Sequence, residues 1–108
     1  MTLDLLSEFD AVPDDGAVVS GELAVTDDVL VKAFALGPDG AIDPHEHAGA
    51  TNVFHVVRGT VVVERDGETA TVSAPGVVLN ERGQIHGAHN DTDDVAVLTA
   101  SLCPLPGQ

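Results

Sequence analysis

The sequence predicts an all-β protein, a single antiparallel barrel or sandwich. Three observations carry that expectation. From Ala17 onward the chain is a series of short runs rich in Val, Thr and Ile or Leu. Gly, Pro, Asp or Asn punctuate those runs at short intervals. No helical apolar period long enough to cross over a parallel sheet lies between them. At 108 residues the chain has room for one core and not two.

Residues 1–16 read as an N-terminal arm or a short helix, with Leu3, Leu5, Leu6, Phe9 and Val12 as its apolar positions. Asp14-Asp15-Gly16 turns the chain into the barrel, which occupies residues 17–103. Strands are expected at Ala17–Leu23, Val29–Leu36, Asn52–Val57, Thr60–Arg65, Thr69–Val72, Val77–Leu79 and Val95–Leu102. Between Thr60–Arg65 and Thr69–Val72 the pair Asp66-Gly67 has the chemistry of a type I′ turn, making this the clearest hairpin. Residues 104–108 begin with a proline that cannot continue a central strand, and read as a tail. Cys103, the single cysteine, excludes an intrachain disulfide; ending an apolar strand, it reads as a small packed residue.

Eighteen acids against four bases give a formal net charge of −14. Lys32 is the only lysine, and the acids are spread along the chain between apolar runs. Repulsion at that density is screened within ~3 Å at 1 M salt, which points to a host with a salt-rich cytoplasm. Nucleic acid and anionic membrane, which need clustered cations, are disfavoured as partners. The chain also has no Trp or Tyr to stack on bases. The start carries no basic, apolar leader pattern, and no stretch approaches the ~20 apolar residues of a membrane span. A cytoplasmic location is the expectation.

Histidine is the one basic-type residue in relative excess: His45, His47, His55, His86 and His89. His45 and His47 are two apart, so on an extended strand both imidazoles share a face. With His86 and the amide of Asn52 from neighbouring strands they can close around a divalent metal, for which neutral imidazole is the commonest side-chain ligand. Glu46, between them, points away. His55 lies three residues from Asn52, and the pattern of Val53, Phe54, Val56 and Val57 does not by itself say which of the two faces inward. His86, Ala88 and Asn90 share a face and His89 is sent away from it. Arg58 and Arg82 read as charges on turns. Lys32 shares strand parity with Phe34 and Leu36 and is the charged group best placed to approach a pocket.

Two motifs carry a family resemblance. Gly40, His45, His47, Asn52 and Gly59 form the first. Gly76, Glu81-Arg82-Gly83, His86 and Asn90 form the second, after a short intermotif hairpin. In order and spacing they resemble the cupin superfamily, small β-barrels of the jelly-roll type. The resemblance covers about residues 30 to 100. It implies a barrel holding one divalent transition metal (Mn, Fe, Ni, Cu or Zn) on His45, His47 and His86. Asn52 would be a fourth ligand or would hold a metal-bound water, leaving His55 outside. Two residues depart from the pattern. Glu81 replaces a proline in a turn, and Asn52 stands where the family has a glutamate ligand. A neutral amide binds more weakly than a carboxylate. It leaves the metal a stronger Lewis acid, or leaves three histidines with waters.

The resemblance implies dioxygenase-, lyase- or isomerase-like action on a small molecule. The alternative is a non-catalytic module that binds metal or a small ligand in a regulatory role. Phe34, Ile42, Phe54, Val56, Leu79, Ile85 and Leu98 are the expected pocket walls, a mostly apolar set suited to a small neutral or aromatic compound. No general base is evident among them. Exposed strand edges and the resemblance both suggest a homodimer.

Overall fold

The computed structural model describes residues 3–104. Within them a four-residue 3-10 turn, Leu5–Glu8, is followed by nine strands: β1 (Val18–Val25), β2 (Leu30–Leu36), β3 (Ala41–His45), β4 (Thr51–Arg58), β5 (Thr60–Arg65), β6 (Glu68–Ser73), β7 (Gly76–Asn80), β8 (His86–His89) and β9 (Ala96–Cys103). They form two facing sheets, five-stranded in the order β1-β2-β9-β4-β7 and four-stranded in the order β3-β8-β5-β6. Every pairing is antiparallel. This is the all-β jelly roll that the sequence predicts. No helix among the described residues is long and apolar enough to cross a membrane.

Period-two burial builds the core. Along β9 the inward residues Ala96, Leu98, Ala100 and Leu102 are buried and their neighbours are less so. On β4 the inward set is Asn52, Phe54 and Val56, and on β5 it is Val61 and Val63. Leu36, Phe54, Val56, Val61, Val63 and Leu98 meet between the sheets as one apolar cluster. The β5–β6 hairpin turns at Asp66 and Gly67 with φ of 50° and 84°, the two positive values that a type I′ turn requires.

Two strands, β3 and β8, are absent from the apolar runs expected as strands, although the histidine spacing assumes extended chain at both. Neither has an apolar run: β3 reads Ala-Ile-Asp-Pro-His and β8 His-Gly-Ala-His. Tertiary pairing makes them strands, and Pro44 is tolerated because β3 is an edge. The N-terminal segment forms only one 3-10 turn, with Asp4 accepting from the Leu6 N–H. Phe9, just past it, packs over Gly21 on β1.

Cys103 is exposed, contrary to the packed position expected of it. It is the outward residue that ends β9, one past the inward Leu102.

Candidate metal centre

The histidines converge because a glycine lets two backbones approach. Gly87 on β8 lies against β3, where a Cβ would come within 2.6 Å of the Ile42 carbonyl oxygen and 3.0 Å of the Pro44 nitrogen. At that contact the β3–β8 register shifts, between Ile42 and His45, and His45 comes to lie directly opposite His86. The strand ends there, so His47 is placed by the following segment and not by strand parity. Its carbonyl accepts from the Gly83 N–H at 3.2 Å, tying it to the loop before β8.

That loop is braced in turn. Asp66, on the β5–β6 turn, accepts from the Ile85 N–H at 2.9 Å and from the Gln84 amide at 3.2 Å. Gln84 Oε1 accepts from the Glu81 N–H at 2.8 Å. The hairpin predicted from Asp66-Gly67 therefore holds the segment that presents His86.

His45, His47 and His86 each offer a ring nitrogen within 4.8 Å of the others. Their ring centroids are 4.9 Å (His45–His47), 4.6 Å (His45–His86) and 5.5 Å (His47–His86) apart. Backbone carbonyls fix two of the tautomers. His45 Nδ1 lies 2.8 Å from the Asp43 oxygen, and His86 Nδ1 lies 3.0 Å from the Gln84 oxygen. A carbonyl only accepts, so each Nδ1 carries the proton and each Nε2 keeps a lone pair, the arrangement expected of metal-ligating imidazoles. Burial, and next the like charge of His45, lowers the pKa of His47. Burial is also the largest influence on His86 and lowers its pKa; the Gln84 carbonyl opposes it, His45 and His47 lower it further, and Asp66 works against them. Both shifts favour the neutral, ligating form.

Asn52 faces the same cavity, with its Nδ2 3.1 Å from His86 Nε2 and its Oδ1 buried without a partner among the described residues. An orphaned amide oxygen beside three imidazole lone pairs is what a cation would satisfy, so this donor set fits a metal. Sequence reasoning missed Asn80. It pairs directly with Asn52 across β4 and β7, is fully buried, and has no partner for either amide atom among the described residues. Its signal was a lone polar residue ending the apolar run Val77–Leu79, in inward phase with Val78.

The cavity holding His45, His47 and Asn52 measures about 260 Å³ and is walled by Leu30, Phe34, Ile42, Phe54, Ala100 and Leu102, with Lys32 beside them. Of the expected wall residues, Phe34, Ile42 and Phe54 line it. Val56 and Leu98 lie in the packed core instead. Leu79 and Ile85 do not line it: they are 49% and 47% exposed, because β7 turns Val78 and Asn80 inward and Leu79 outward, and Ile85 sits on the loop ahead of β8. His55 is exposed on the outer face of β4. His89 also faces away from the site, 3.9 Å from Asp39. Glu46, Arg58 and Arg82 are exposed. Asn90 is buried and structural: its amide donates to the Leu36, Gly37 and Asp94 carbonyls while its Oδ1 accepts from Thr92.

Solved structures share this architecture. TT1209 from Thermus thermophilus is 25% identical with a TM-score of 0.86, the match covering 97% of this chain and 98% of that one. KdgF from Halomonas sp. is 21% identical, TM-score 0.80, covering 94% and 91%. A predicted oxalate decarboxylase from Thermotoga maritima is 19% identical, TM-score 0.77, covering 82% and 81%. At those identities the last two are similar in fold alone. No curated protein sequence matches the chain at a significant level. The sequence matches the Cupin domain family over residues 32–102, a span that contains both motifs and all three clustered histidines. The chain belongs to the cupin domain family.

Proposed function

We propose that this cupin binds one divalent transition metal through His45, His47 and His86 and acts with it on a small molecule. The observation that carries the reading is the combination of three ring nitrogens within 4.8 Å with two tautomers set by backbone carbonyls. A bound metal would supply Lewis acidity to a coordinated substrate oxygen or water, or a redox centre, which suits lyase-, isomerase- or dioxygenase-like reactions. Asn52 is the fourth ligand, or it holds a metal-bound water through its amide. The cavity, about 260 Å³ with mostly apolar walls, limits the ligand to something small, since small-molecule sites run from about 300 Å³ upward. Among the described residues no carboxylate lines the cavity, so acid–base work there rests on groups held by the metal or on the imidazoles.

That same lack of a carboxylate, together with Asn52 in the place of the family's glutamate, favours a second reading: a module that holds metal and ligand without turnover. Metal analysis of untagged protein, followed by a turnover and oxygen-uptake screen on the loaded form, tests the first reading against the second. Exposed Val77, Leu79 and Ile85 on and beside the edge strand β7 support a homodimer.

A further inference from the structure

Lys32 is the only lysine of a chain with eighteen acids, and it stands on the wall of the histidine cavity. It lies on the inward face of β2 in phase with Phe34 and Leu36, half-buried. Its Nζ sits 5.4 Å from the centroid of the Phe34 ring. That cation–π contact holds the ammonium against an apolar wall. Among the described residues it has no ion pair. Glu22, directly opposite on β1, is exposed and makes none with it. The three arginines are exposed and line no part of this cavity.

A partly desolvated ammonium without a counter-ion is costly, and a lysine whose only task was to cover apolar surface would turn its charge to the surrounding acids. The charge balance points the same way. A surface at −14 repels anions, so an anionic ligand needs a local cation to enter. Among the described residues the cavity wall supplies one cation, Lys32, and no acid.

Resting on the metal reading above, we propose that the cavity is selective for small carboxylic acids and that Lys32 is the residue that selects them. The ligand carboxylate pairs with Lys32 Nζ, and the remainder of the molecule lies between Phe34 and the histidines. A single point charge with no second cation suits a monoanionic carboxylate better than a phosphate, which takes several donors.

The test uses full-length protein loaded with Mn²⁺ and, separately, K32M and K32Q, titrated calorimetrically with lactate, pyruvate, lactamide and inorganic phosphate. K32M keeps the unbranched stem, and K32Q keeps a polar end if the methionine variant fails to fold. Metal content measured on each variant should match the wild type. The expected result is at least about tenfold tighter binding of lactate or pyruvate than of lactamide or phosphate, lost in both variants. Equal affinity for lactate and lactamide, preference for phosphate, unchanged affinity in K32M and K32Q, or no carboxylate binding by the wild type would each overturn the proposal. Failure of the wild type to hold metal would contradict the metal reading instead. The same titrations on metal-free protein would then read Lys32 alone.

Discussion

Asn52 Nδ2 lies 3.1 Å from Nε2 of His86, whose other nitrogen is committed to the Gln84 carbonyl. The contact therefore occupies the one lone pair with which His86 can ligate. A metal held by His86 as proposed would displace that contact, and turning the Asn52 amide would bring to the cation its oxygen, which is buried and without a partner among the described residues. On the proposed ligand set Asn52 therefore has two arrangements, its amide on His86 without metal and its oxygen turned toward the cation, or toward a water on it, with metal.

Asn52→Asp should separate those two states. A buried carboxylate among neutral imidazoles is unfavourable without metal and favourable with it. The variant is expected to melt lower than wild type when metal-free and to bind Mn²⁺ about 10- to 100-fold more tightly. Paired melts with and without metal, and a competition titration against a chelator, read both changes. An affinity equal to or below that of the wild type would remove Asn52 from the ligand shell.

Stability should depend on pH in one direction. His47 and His86 have pKa values below 6.5 in the folded protein, whereas the unfolded chain titrates near 6.5. Below 6.5 the unfolded state therefore takes up protons that the folded state refuses. The metal-free protein should be most stable above 6.5 and lose stability as pH falls from there to the lower folded pKa values, beyond which this loss is complete. Urea melts of wild type and His86→Ala across that range test it: the alanine variant should show a shallower slope. Identical slopes would mean that burial of His86 does not resist protonation.

Gly87→Ala tests how the site is assembled. The added methyl would meet the Ile42 carbonyl oxygen at 2.6 Å, so β3 must move and His45 with it. Expected are a destabilisation of about 1–3 kcal/mol by overpacking and a loss of metal affinity larger than the same destabilisation causes elsewhere. Leu98→Val, a core change on β9 that adds no atom between β3 and β8, is the matched control, and denaturant melts with metal titrations compare the two.

Much of this was legible in the sequence, unevenly and for physical reasons. Strands such as Thr60–Arg65 and Ala96–Cys103 announce themselves as short β-branched runs between turn residues, and their burial then alternates. The Asp66-Gly67 turn does so by its backbone chemistry. The strands that carry His45 and His86 do not: β3 and β8 owe their pairing to neighbours and contain no apolar run. The spacing of the histidines marked the cluster even so. Hidden from sequence were the Gly87 contact that sets His45 opposite His86, the carbonyls that choose the tautomers, and the buried amide of Asn80, which has no partner among the described residues. Each depends on two segments meeting. Leu79 and Ile85 misled because an apolar residue beside a motif reads the same whether it faces in or out.

The acidic surface makes its own prediction. At −14 the folded chain repels itself, and added salt screens that repulsion. The melting temperature should rise steadily between dilute buffer and 1 M KCl, with most of the gain at the low end where the Debye length shortens from ~30 Å to ~10 Å. A melting temperature independent of KCl would show that self-repulsion does not limit this fold.

Metal content decides the central claim most directly. Untagged protein, saturated with Mn²⁺, Fe²⁺ or Zn²⁺ and freed of excess, should retain about one metal per chain, and His86→Ala less than about a tenth of that, while His89→Ala retains it nearly in full. Wild-type protein that keeps less than about a tenth of an equivalent of each metal, or His86→Ala protein that keeps as much as the wild type, would contradict a metal centre built on His45, His47 and His86.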